Sequence, residues 1–177
     1  MELEKLKYPI GKFNPPQNIS QQDLDNWIDD IEILSGKLNK EIQGLSENQL
    51  NTPYRPAGWT IRQVVHHLAD SHMNAFIRIK LALTEEKPVV KPYFEGRWAE
   101  LTDSKNYLVE PSLKILEGVH QRWSSLFKSL SEEDMKRTLI HPGYGKEFQI
   151  NEMIAMYAWH GNHHLAHITT LKKHKGW

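Results

Sequence analysis

Four histidines, His160, His163, His164 and His167, fall within eight consecutive residues. A second window, His66-His67-Leu68-Ala69-Asp70-Ser71-His72, lies about ninety residues earlier, and seven of the ten histidines sit in the two windows. Neutral imidazole is the commonest protein metal ligand. The chain has no cysteine, so any metal here takes nitrogen and oxygen ligands only. On a helix, residues four apart share a face with Cβ atoms ~6 Å apart. His160 with His164, and His163 with His167, are two such pairs. Helix phase separates them. At ~100° per residue, the apolar face of Ile150, Ile154, Tyr157, Gly161, Leu165 and Ile168 centres near Gly161. His160 and His164 flank that face, where a site between packed helices needs its ligands. His163 and His167 lie about 60° further round and suit supporting roles, pocket wall or surface. A third ligand must come from another helix. His72 lies on an apolar face, where a hydrogen-bonded core histidine is the common outcome. His66 and His67 flank that face on opposite sides, and phase leaves the choice open.

The elements that position these residues read as four long helices. Residues 1–18 carry Pro9, Pro15 and Pro16 and no helical period. They are expected to form an extended arm tacked down by Tyr8, Ile10 and Phe13. The first long helix starts at Ser20, with a capping-box-like Ser20-Gln21-Gln22-Asp23, and runs to about Gly44. Its apolar period uses Leu24, Trp27, Ile28, Ile31, Ile33, Leu34 and Leu38. The Asp23, Asp25, Asp29 and Asp30 face is a solvated surface. Residues 45–59 form a turn-rich connection holding Tyr54, Arg55 and Trp59. The second long helix runs from Thr60, again with a capping box, to about Thr84. Residues 85–110 are a gap long enough to return the chain to the other end of the bundle, making the third helix parallel to the second. The third helix opens at Pro111 and continues through Leu130. A turn at 131–134 and a hairpin over 138–150 follow, with His141 read as a turn residue. The fourth helix starts after Asn151 as N-cap and runs to about Lys173, with Gly176 as its stop. The whole reads as one all-α domain, residues 1–177, a four-helix bundle with a long crossover between its second and third helices.

Composition narrows the function classes. Lys plus Arg equals Asp plus Glu at 22 each. A near-zero net charge argues against nucleic acid as the main partner. The basic run Lys172-Lys173-His174-Lys175 complements a helix C-terminus. No apolar run approaches the ~20 residues of a membrane span, and the N-terminus has no apolar signal core. A small-molecule substrate and a cytoplasmic location are the expectations.

The segments Gly58-Trp59-Thr60-Ile61-Arg62-Gln63-Val64-Val65-His66-His67-Leu68-Ala69-Asp70-Ser71-His72 and Trp159-His160-Gly161-Asn162-His163-His164-Leu165-Ala166-His167-Ile168, with Tyr8-Pro9-Ile10-Gly11, resemble the DinB/YfiT superfamily of four-helix metalloenzymes, and within it the YfiT group from bacilli. The resemblance covers essentially the whole chain. It implies His67, His160 and His164 as ligands of one divalent metal, zinc as the first expectation and nickel as the second. It also implies the long crossover and a homodimer. Many relatives have Gln where His167 stands. Three neutral imidazoles leave the ion's charge at +2 with an open position, which suits water activation. The leading expectation is therefore a metal-dependent hydrolase. The alternative is a thiol S-transferase using bacillithiol or a similar low-molecular-weight thiol, with Tyr54, Arg55, Tyr93 and Trp98 holding that cofactor. A non-catalytic metal-binding bundle is the third reading. No Glu stands where a His-Glu-x-x-His helix carries its base, so His163 and Asp70 are the candidate proton carriers.

Overall fold

Local capping and apolar spacing account for the long helices. The structure is a computed structural model that describes residues 2–177. Its elements are α1 (Leu3–Lys7), α2 (Gln21–Ile42), α3 (Glu47–Leu50), α4 (Ile61–Thr84), α5 (Glu95–Trp98), α6 (Thr102–Asn106), α7 (Glu110–Lys128), α8 (Glu132–Met135), β1 (Thr138–His141), β2 (Lys146–Gln149) and α9 (Ile150–Lys175). Ser20 and Thr60 close reciprocal capping boxes with Asp23 and Gln63, which satisfies two free amides at the start of each helix. Gly176 ends α9 in the left-handed region at φ 71°, a conformation open to glycine at little cost.

Several expectations are corrected. The arm over 1–18 contains the short helix α1, and its residue Met1 lies outside the described residues. α2 stops at Ile42, two residues before Gly44, and Ile33 is exposed rather than part of the buried face. The 45–59 connection and the 131–134 turn hold α3 and α8, each opened by a serine capping box. The gap at 85–110 holds α5 and α6. α7 begins at Glu110, one residue before Pro111, and ends at Lys128. α9 begins at Ile150: Gln149, not Asn151, is its N-cap, boxed with Glu152. His141 is not a turn residue. It ends β1 opposite Lys146 and is buried, with its ring near Tyr144 and Phe148.

The four long helices pack in a ring, with α2 and α4 each against both α7 and α9. Arg62 meets Tyr107, His66 meets Ser112, His72 meets His120 and Phe76 meets Trp123. Those contacts advance in step, so α4 and α7 run parallel, as the long crossover requires. His67 meets His164 while His72 meets Tyr157, so α9 runs antiparallel to α4. Asp30 with Asn162 and Glu41 with Lys172 set α9 parallel to α2. The crossover is clamped to α4 by side chains from α4. Gln63 donates to the Ala99 carbonyl at 2.7 Å, and buried Arg78 donates to that of Lys91 at 2.8 Å. Arg62, 2% exposed, bonds Glu47, Asn51 and the Tyr107 carbonyl.

The apolar core is divided in two. One cluster joins Ile28, Ile31, Phe76, Ile79, Trp123, Phe127, Ile150 and Ile154. The other joins Leu38, Ile61, Val65, Leu68, Leu116, Ile168 and Leu171. Full burial of such a side chain stabilises by about 1.5–3 kcal/mol. A layer of histidines joins three helices: His67 and His72 on α4, His120 on α7, His160 and His164 on α9. No helix among the described residues is long and apolar enough to cross a membrane.

Candidate metal centre

The three-helix layer brings a ring nitrogen of each of His67, His160 and His164 within 4.8 Å of the other two. His67 Nε2 and His160 Nε2 face each other at 3.3 Å. His160 and His164 stand one turn apart on α9, their ring centroids 4.6 Å apart, and His67 reaches across from α4. Close approach of α9 depends on Gly161. A Cβ there would lie 2.3 Å from Leu34 Cδ2 and 3.5 Å from His72 Cε1.

The donor set fits a small divalent cation. At a Zn–N distance of 2.0–2.1 Å and tetrahedral angles, two imidazole nitrogens lie about 3.3 Å apart. That matches the His67–His160 separation. The rings are also in the right protonation state. Burial pushes the His67 pKa down to about 4. His160 and His164 are pushed well below the ordinary value, by burial first and then by neighbouring imidazoles. Near pH 7 all three are neutral and present lone pairs. His164 Nδ1 is buried without a partner among the described residues. Within the described residues, no fourth histidine, aspartate or glutamate joins the set.

The remaining histidines separate by position. His66 points to α7: its Nδ1 lies 2.8 Å from Ser112 Oγ and its Nε2 donates to the Tyr107 carbonyl at 3.4 Å. It is therefore occupied away from α9, and His67 is the residue that faces it. His72 is a fully buried core histidine, with Nε2 3.2 Å from His160 Nδ1 and Nδ1 2.8 Å from His120 Nε2. His163 and His167 are buried beneath the N-terminal arm rather than at the surface. His163 stacks on Trp159 at 4.6 Å and approaches Tyr8 at 6.0 Å, while Phe13 covers Trp159. His167 Nε2 donates to the Lys7 carbonyl at 3.1 Å and its ring stacks on Tyr54 at 3.9 Å.

Aromatic residues from the connections frame the centre. Trp59 packs on His67 at 4.6 Å and on His164 at 6.3 Å. Tyr93 and Trp98 pack on each other, 4.6 Å between centroids, on the crossover. Arg55 lies over Tyr54 and donates to the Pro56 carbonyl. Asp70, one turn beyond His67, has its carboxyl pushed up to about 6 by burial and then by Asp103. Sequence reasoning missed His120 as part of this layer. Its only sequence signal is a histidine in register with Leu116 and Trp123 on a buried helix face.

Comparisons with known proteins agree with this architecture. The family model of the DinB superfamily matches residues 32–168. A protein of Bacillus cereus (strain AH820) named "Putative metal-dependent hydrolase" is 51% identical over 175 residues, covering 99% of this chain and 100% of the relative. A protein of the same name from Bacillus anthracis (strain CDC 684 / NRRL 3495) matches at the same identity and coverage. Among solved structures, YfiT from Bacillus subtilis, described as "a probable metal-dependent hydrolase with an unusual four-helix bundle topology", has TM-score 0.95 and 45% identity, covering 98% of this chain and 99% of that one. A match that reaches all four long helices and takes in the histidines between them makes this chain a member of the DinB superfamily.

Proposed function

We propose that the chain is a metal-dependent hydrolase in which His67, His160 and His164 hold one divalent cation. The observation that carries the reading is the 3.3 Å spacing of two neutral Nε2 atoms, from buried His67 and half-buried His160, with a ring nitrogen of His164 completing the set. The names borne by the relatives point the same way. An all-imidazole set suits zinc first and nickel second. A cation bound there supplies Lewis acidity and lowers the pKa of water to about 7.

The chain's own groups do the rest. Trp59 covers His67 and His164 and limits their access to bulk water. Asp70 is the better of the two candidate proton carriers. Its carboxyl, raised to about 6, exchanges a proton near neutral pH. The His163 ring is held against Trp159 and Tyr8, and burial lowers its pKa to about 4.

The test is metal analysis of untagged protein, followed by hydrolysis assays on an ester and amide panel. One equivalent of metal is expected, falling to near zero in His67→Ala. Unchanged metal content in His67→Ala sinks the site. The acid limb of the rate profile, expected near pH 6, should disappear in Asp70→Asn. Running the panel with and without bacillithiol separates hydrolysis from thiol transfer: consumption of an electrophile only when thiol is present overturns the hydrolase reading.

A further inference from the structure

The imidazoles of the central layer form a continuous chain. His67 Nε2 lies 3.3 Å from His160 Nε2, His160 Nδ1 lies 3.2 Å from His72 Nε2, and His72 Nδ1 lies 2.8 Å from His120 Nε2. Each neutral imidazole carries one N–H and one lone pair. The His160–His72 and His72–His120 contacts must therefore each have one donor and one acceptor, so the tautomers of these three rings are coupled, while the Nε2 atoms of His67 and His160 both keep lone pairs for a cation. Choosing the proton position at one ring fixes it at the next.

We infer that His72 and His120 are positioning residues that hold the proton of His160 on Nδ1 and so reserve its Nε2 lone pair for the cation. With Nε2 of His160 as the donor to a metal, its Nδ1–H must donate to His72 Nε2. His72 then donates through Nδ1–H to His120 Nε2, and His120 carries its own proton on Nδ1. That last atom is buried with no partner among the described residues, so the chain ends there. The rings are well held for this role. His72 and His120 are both 0% exposed, and His72 meets the rings of Trp123 at 5.8 Å and Tyr157 at 5.3 Å, both edge-on. Metal-ligating histidines commonly donate their second N–H to a carboxylate or a carbonyl. Here the acceptor is a neutral imidazole. It orients the ligand without adding negative charge, so the bound ion keeps its full +2 for polarising water.

The inference rests on the metal-site reading above, and the experiment separates the two. Zinc alone is the probe, on the full chain. Long-range ¹H–¹⁵N spectra of the zinc-loaded, histidine-labelled protein should show the proton on Nδ1 in both His72 and His120. Zinc affinity should fall about 10–100-fold in His72→Leu and recover in His72→Gln, whose amide oxygen can accept from His160. A proton on Nε2 of His72 in the zinc-loaded protein overturns the inference, as does a His72→Leu variant that folds and binds zinc like the unsubstituted chain. Should His72→Leu not fold, the tautomers of the unsubstituted protein decide by themselves. Undiminished zinc affinity in His160→Ala is a different result. It removes the metal site, and the positioning role with it.

Discussion

Gly161→Ala probes the packing that brings α9 to the candidate metal centre. The new Cβ would stand 2.3 Å from Leu34 Cδ2. Carbon atoms rest about 3.5–4.0 Å apart, so Leu34 or α9 must retreat by about 1.2 Å or more. Leu34 is 1% exposed and has no solvent to move into. Overpacking of this kind costs about 1–3 kcal/mol, offset by about 1 kcal/mol because alanine favours a helix interior over glycine. The net effect of the single change is therefore small, and a double-mutant cycle is the sharper measurement. In a Leu34→Ala background, itself costing about 2–5 kcal/mol, the clash is gone and Gly161→Ala should stabilise by about 1 kcal/mol. The coupling between the two positions should equal the overpacking cost, about 1–3 kcal/mol. Urea unfolding with matched m-values reads each corner of the cycle. Additivity within about 0.5 kcal/mol would refute the claim that Gly161 is there to let Leu34 and α9 meet.

Acidification should unfold the metal-free protein. The depressed histidines bind their protons in the unfolded chain near the ordinary 6.5, but His67, His120, His163 and His167 do so only at about 4 when folded. Their contribution is present above pH 6.5 and is lost as pH falls toward 4; a urea midpoint that stays flat from pH 7 to 4.5 would contradict this. Arg62→Ala removes bonds from one buried guanidinium to Glu47, Asn51 and the Tyr107 carbonyl, and should lower stability by about 3 kcal/mol, measured by chemical denaturation. Deleting residues 2–18 strips Tyr8, Phe13 and the Lys7 carbonyl from α9. His163 and His167 should then react faster with diethyl pyrocarbonate, read by peptide mass, while unchanged reactivity argues that the arm does not cover them.

Much of this protein was legible in local pattern. The long helices follow from apolar residues at 3- and 4-residue spacing and from Ser20 and Thr60 boxes, because both act within one or two turns. The His160–His164 pair and the length of the crossover were readable for the same reason. The short helices α3 and α8 were not, although Ser46-x-x-Gln49 and Ser131-x-x-Asp134 were in view. Four-residue helices bury too little to show a period. The N-cap of α9 was misplaced by two residues because Asn151 and Gln149 both precede the apolar run and only backbone geometry separates them. The choice between His66 and His67 lay outside any local rule. They differ by about 100° on one helix, and each meets a different neighbour: His66 turns to Ser112 of α7, His67 to His160 of α9. His120 offers only a weak local sign, being one histidine in register with Leu116 and Trp123 on a buried helix face. The sequence by itself determined the helices and the residue types that could ligate. Which imidazoles converge, and in what chain, was decided by the parallel pairing of α4 with α7 and the close approach at Gly161, which depend on contacts between residues some 45 to 130 positions apart.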